Sequence, residues 1–172
     1  NGNSIEQDSY RGENLSRYGD IVFVSLNHRL GLSASVTFQG WMRRSLPSRA
    51  NVGILDLVAG LKWVHNNIAQ FGGDPSNVTI MGQSGGGAKV CTLVAMAETK
   101  GLLHKAVALS GNITGAIDNN YSTELGKYIL KEAGLPPSQI NKLQEIPWLD
   151  YIVLANRAAA KYDKQLGGNG MM

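Results

Sequence analysis

Three short apolar runs, each closed by a turn signal and set apart by helical periodicity, constrain this chain more than any other feature. Ile21-Val22-Phe23-Val24-Ser25-Leu26, Val78-Thr79-Ile80-Met81 and Ala106-Val107-Ala108-Leu109 end at Asn27, at Gly82 and at the Ser110-Gly111-Asn112 cluster. Continuous apolar runs of this length suit strands buried on both faces of a sheet. Between the first two, Ile54, Leu57, Val58, Leu61, Val64 and Ile68 recur at three- and four-residue spacing, the stripe of an amphipathic helix. "FGGDPSN" at 71–77 ends that helix, with two glycines for the exit and Asp74-Pro75 to turn the chain. Further helices are predicted from about Gly85 to Glu98, from Ser122 to Ala133, and after Pro147. Strand, helix, strand, helix, strand is the order of a parallel sheet with crossover helices, so the fold class is α/β.

A chain of 172 residues suffices for one domain with a sizeable core, and 1–172 reads as a single unit. The net charge of +3 comes with no long basic run and no aromatic-interleaved stripe, so nothing suggests nucleic acid. No apolar segment approaches the roughly 20 residues of a membrane span. The single cysteine, Cys91, excludes an intrachain disulfide and leaves no cysteine cluster for zinc. The opening "NGNSIEQDSYRGEN" has no initiating methionine and no leader pattern, and reads like the interior of a longer protein. It is compatible with either a cytoplasmic or an exported protein. The tail "LGGNGMM" has no periodicity and reads as a frayed or cut end.

The chemistry concentrates at Gly82-Gln83-Ser84-Gly85-Gly86, a G-x-S-x-G between a predicted strand and a predicted helix. In that setting the pattern describes a nucleophile elbow, a turn so tight that side chains at Gly82 and Gly86 would collide with backbone. The serine is expected in a strained conformation, with the following helix aiming its N-terminus at the site and the Gly85 amide free to donate to an oxyanion. The plainer reading is a glycine-rich turn or a helix cap. A P-loop does not fit, since Lys89 is not followed by Ser or Thr and the G-x-x-x-x-G-K spacing is absent. A dinucleotide fingerprint lacks its acidic residue at the right distance.

With these segments in view, the chain resembles the type B carboxylesterase family of α/β hydrolases, particularly its bacterial members. "VSLNHRLG" at 24–31 is similar to the family's Asn-Tyr-Arg-Leu-Gly segment. "NVGILDLVAGLKWVHNNIAQFGGDPSNVTIMGQSGGG" at 51–87 follows the family through the helix, the turn and the elbow, and "KGLLHKAVALSG" at 100–111 matches the segment beyond. The resemblance implies a partial α/β-hydrolase fold, Ser84 as nucleophile, Gly85 as an oxyanion amide, a small carboxylic ester as substrate, and no metal or organic cofactor.

The pattern breaks at 32–50, "LSASVTFQGWMRRSLPSRA", where the family has an aromatic and acidic loop and this chain has a basic one. Two readings stand there: a divergent surface loop, or a shifted reading frame. The family's glycine-rich oxyanion loop lies just before the region that opens this chain, and residues 1–4 are either its remnant or the segment just beyond it. The triad order in this fold is Ser, then Asp or Glu, then His. Of the three histidines, His28, His65 and His104, none lies far enough beyond Ser84 to be the expected base, and each reads as structural or solvent-facing. Asp118, Asp150 and Asp163 come after the serine with nothing to mark one as the triad acid. Base and acid are therefore expected outside this chain. Arg29 reads as a structural ion-pair partner, Asp56 as a residue steadying the first helix, Cys91 as a small core residue, and Met81 and Met96 as packing. Two readings besides ester hydrolysis remain: a non-catalytic binding relative of the same fold, and an inactive truncated product whose open sheet favours aggregation.

Overall fold

A computed structural model describes residue 8 and residues 11–30, 51–111 and 118–166. The atypical stretch 32–50, the first residues and the C-terminal tail lie outside the described residues. The chain divides into two compact units, Asn1–Arg29 with Gly53–Ala116, and Leu30–Val52 with Ile117–Met172.

In the first unit, α1 spans Glu13–Gly19 and α2 spans Val52–Asn67. The apolar stripe of α2 forms as its spacing dictates: Val58, Leu61 and Val64 are buried, as is Ile68 just beyond. Val58 and Leu61 close a core with Leu93, flanked by Ile54, Leu57, Val78, Ile80, Met96, Leu102 and Leu103. A 3₁₀ turn, Ile68–Phe71, ends the helix on Gly72 at φ 83°. Asp74 then accepts hydrogen bonds from the amide and hydroxyl of Ser76, which fixes the turn read from "DPSN".

Two strands come next, β1 (Thr79–Gln83) and β2 (Lys105–Leu109), paired in parallel from Thr79↔Lys105 to Gln83↔Leu109. Helix α3, Gly85–Ala95, is the crossover between them and packs on both strands. Its C-terminal carbonyls are served by buried Thr99, whose hydroxyl lies 2.5 Å from the Leu93 oxygen and 2.8 Å from that of Met96. This is the β-α-β core of the expected α/β fold.

Two expectations fail. The run 21–26 forms no β-ladder among the described residues, and Ile21, Val22, Val24 and Leu26 are exposed. An apolar run specifies a buried strand only when a neighbour offers a hydrogen-bonding edge, and no described strand pairs with it. Nor are β1 and β2 covered on both faces: Met81 is 55% exposed, and Val107 and Leu109 are also exposed. Met81 is thus not a packing residue here, whereas Met96 is.

The second unit is a helical hairpin. Helix α4 (Asn119–Glu132) is N-capped by Asp118, which accepts from the amides of Asn120 and Tyr121. A 3₁₀ stretch, Pro137–Glu145, leads into α5, Trp148–Gln165. Leu125 and Ile129 of α4 meet Tyr151, Ala155, Ala158 and Tyr162 of α5, with Ile129 and Ala158 both at 0% exposure. The alanines allow close approach of the two helices. Glu132 accepts from Arg157 and Lys161 across the hairpin, at 3.5 and 2.5 Å. No helix among the described residues is long and apolar enough to cross a membrane.

Candidate active site

At the carboxyl end of β1 the chain turns through Ser84 and at once begins α3. Ser84 has φ 54° and ψ −120°, a conformation that non-glycine residues rarely adopt. Such a residue costs on the order of 1–3 kcal/mol and persists only where its surroundings enforce it. Both peptide groups of the serine are held. Its N–H donates to the Leu109 carbonyl at 2.8 Å, extending the β1–β2 pairing by one bond, and its carbonyl accepts from the Ala88 N–H at 3.1 Å, opening the helix.

The glycines divide their roles differently from the simple expectation. A Cβ on Gly82 would lie 2.4 Å from the Gly86 carbonyl carbon and oxygen, so that position must be bare. A Cβ on Gly86 would meet nothing within 4 Å, so the expected collision there does not occur. Gly86 contributes only backbone on which another residue would clash.

The Gly85 amide is at the first turn of an 11-residue helix, where N–H groups have no intrahelical partner. Together with the positive end of the helix dipole, that is a setting for an anionic oxygen. Lys89, one turn on, donates from Nζ to the Gly85 carbonyl at 3.2 Å, a contact with no signal in the sequence pattern.

Arg29 and Asp56 form a two-pronged pair, Nε to Oδ2 at 2.9 Å and Nη2 to Oδ1 at 2.6 Å, and the Arg29 amide donates to Oδ2 at 3.0 Å. These bonds hold the Asp56 carboxyl down at a pKa of about 2. The pair ties the segment before residue 30 to α2, the structural role expected of both residues. His28 is half-buried, and its Nε2 is buried with no hydrogen-bond partner among the described residues. Burial, then the Lys89 charge, lowers its pKa, against the opposing pull of Asp56. His65 is exposed on α2. His104 accepts from the Val78 amide at Nδ1, 3.2 Å away, and serves the entry to β2. Asp118 caps α4, and Asp163 accepts from the Tyr121 hydroxyl at 3.0 Å. Cys91 is half-buried on α3. Gly111, which in the sequence is only part of a turn signal, lies against the Ser84 turn: a Cβ there would lie 1.8 Å from the Ser84 oxygen. Its signal is a Ser-Gly pair directly after the strand beside the elbow, where Ser110 also has a positive φ of 51°.

The chain is similar in sequence and fold to known esterases. The chain is 35% identical over 151 residues to the para-nitrobenzyl esterase of Bacillus subtilis, covering 86% of this chain and 29% of that protein. It is 45% identical over 103 residues to liver carboxylesterase 1F of Rattus norvegicus, covering 60% and 18%. Among solved structures, an esterase from anaerobic Clostridium hathewayi that can hydrolyze aliphatic aromatic polyesters superposes with a TM-score of 0.81 at 43% identity. That match covers 97% of this chain and 33% of the other. The chain thus spans a third or less of the length of these relatives. The fold is that of the α/β-hydrolase esterases, in part. Residues 2–152 match the model of the carboxylesterase family, and with the elbow geometry in place the chain belongs to that family.

Proposed function

We propose that the protein containing this chain is a serine carboxylester hydrolase with Ser84 as its nucleophile. The observation that carries the proposal is the strained backbone of Ser84, at φ 54° between a parallel strand and a helix N-terminus, in a member of the carboxylesterase family. A turn or cap has no use for that strain, and most residue types would avoid it.

In this mechanism Ser84 Oγ bonds to the ester carbonyl carbon while a histidine base takes its proton. The Gly85 N–H donates to the resulting oxyanion. Collapse expels the alcohol, which receives the proton, and water then attacks the acyl-serine by the same route to release the acid. Base and acid come from outside residues 1–172, and no metal or organic cofactor enters the chemistry. Losing one oxyanion donor costs about 10²–10³ in rate. Losing a member of the triad costs on the order of 10⁴ or more. The 172 residues by themselves are accordingly nearly inactive. The substrate is a small carboxylic ester, and the similarity to a para-nitrobenzyl esterase makes p-nitrobenzyl and p-nitrophenyl esters the first to offer.

The test is a fluorophosphonate probe on the full-length protein, followed by turnover of p-nitrophenyl butyrate. Labelling that maps to Ser84 and vanishes in Ser84→Ala, with turnover, is the expected result. An unlabelled, well-folded protein would sink the proposal and leave a binding relative in its place. Ordinary turnover by residues 1–172 alone would overturn the external base and acid.

A further inference from the structure

A peptide group is one rigid plane, so the Ser84 carbonyl and the Gly85 N–H move together. On the carbonyl side, Ser84 O accepts from Ala88 N–H. Gly111 sits against that same bond: a Cβ there would lie 1.8 Å from the Ser84 oxygen, 2.7 Å from its carbonyl carbon and 3.0 Å from the Ala88 nitrogen. All three are backbone atoms in the elbow, and none can swing aside as a side chain could. The approach is built in from two directions. Leu109 O holds the Ser84 N–H at 2.8 Å, and the positive φ of Ser110 turns the chain back on the elbow. On the neighbouring turn of α3, a Cβ on Gly87 would meet Gly111 Cα and Leu109 O, each at 3.1 Å.

We infer that Gly111 is a positioning residue for the oxyanion donor: its bare Cα is the surface on which the Ser84–Gly85 peptide plane rests. A methyl at 111 forces that plane to retreat or rotate, and the Gly85 N–H at its other end turns away from the place where the oxygen develops charge. Donors act over 2.7–3.1 Å, and a misplacement of about 1 Å costs about 10²-fold. Gly111 touches no reacting atom and acts only through Ser84 and Gly85. The inference rests on the proposed role of Ser84 and Gly85.

The experiment uses the full-length protein and three variants, Gly111→Ala, Gly87→Ala and Gly60→Ala. Gly60→Ala is the packing control, since its Cβ would lie 2.6 Å from a Leu26 methyl and does not reach the elbow. For Gly111→Ala, kcat on p-nitrophenyl butyrate is expected to fall about 10²-fold with KM within about threefold, and affinity for a trifluoromethyl ketone to fall in parallel. Gly87→Ala asks its neighbours to give by only a few tenths of an ångström, and is expected to lower kcat and ketone affinity severalfold at unchanged KM. Gly60→Ala, where the Leu26 methyl can swing aside and a mid-helix alanine is favoured, keeps kcat. Equal kcat losses in Gly111→Ala and Gly60→Ala would overturn the inference, as would wild-type kcat in Gly111→Ala. If Gly111→Ala does not fold, Gly87→Ala decides by the same readouts. Labelling of wild-type Ser84 by the fluorophosphonate, measured first, separates failure of this inference from failure of the hydrolase reading.

Discussion

The two units of this chain spend their residues differently. In the hairpin of α4 and α5, apolar side chains close on one another, Ile129 and Ala158 are fully buried, and the ends are tied by the Asp118 cap and the Glu132 ion pairs. The described hairpin holds no non-glycine residue at positive φ, and its exit turn at φ 66° falls on Gly134, which adopts it without strain. In the β1–α3–β2 unit, apolar residues of both strands stay open to solvent, and two of the three described non-glycine residues with positive φ, Ser84 and Ser110, sit at neighbouring strand ends. The hairpin follows from sequence pattern and burial. The strand unit holds costly backbone in place, and such cost collects at functional sites.

Substitutions that exchange these characters sharpen the contrast. Ile129→Ala carves a cavity in a site with no exposure, and should destabilise the hairpin by about 2–5 kcal/mol in denaturant unfolding while Ser84 keeps its labelling rate in whatever fraction remains folded. A change below about 1 kcal/mol would mean that the hairpin core is not close-packed. Ser84→Gly does the opposite. It relieves the φ of 54° and should raise unfolding stability by up to about 1 kcal/mol while abolishing labelling. A destabilised Ser84→Gly would show that the elbow is not strained. The smallest effect belongs to Asp56. Its folded pKa, about 2, lies below the ordinary 3.8, so the unfolded chain binds the proton more readily. Its contribution is full above about pH 4 and fades as pH falls towards 2. Arg29 is 64% exposed, and solvent screening keeps the effect to a few degrees in Tm at most. The gap in Tm between wild type and Asp56→Asn should narrow over that acid range, and a gap that widens there would reverse the assignment.

How much could be read in advance depended on the range of the forces involved. Helix α2, the turn at Asp74, β1, α3 and β2 were legible because their signals are local: a stripe at helical spacing, a capping carboxylate, a β-branched run closed by glycine. The elbow was legible as a pattern for the same reason. The run 21–26 misled because a strand is a property of two segments and the sequence displays only one. Gly86 looked as necessary as Gly82 because spacing treats them alike, whereas one of them supplies the backbone with which the other would collide. Gly111 carries only a turn signal in the sequence, because its contact is with a residue far away in the chain. Helix α1 and the 3₁₀ stretch 137–145 were not foreseen, since α1 buries no residue and a single 3₁₀ stretch shows little periodicity.

The hydrogen bond from Ser84 N–H to Leu109 O bears on anyone wishing to graft this elbow into another scaffold. The last rung of the sheet pairs Gln83 with Leu109, and the next bond outward already belongs to the serine. A host that receives only "GQSGG" inherits a flexible turn, because the constraint that bends it lives on a different strand. Residues 79–88 and 105–111 have to travel together, in their parallel register, as one two-piece cassette.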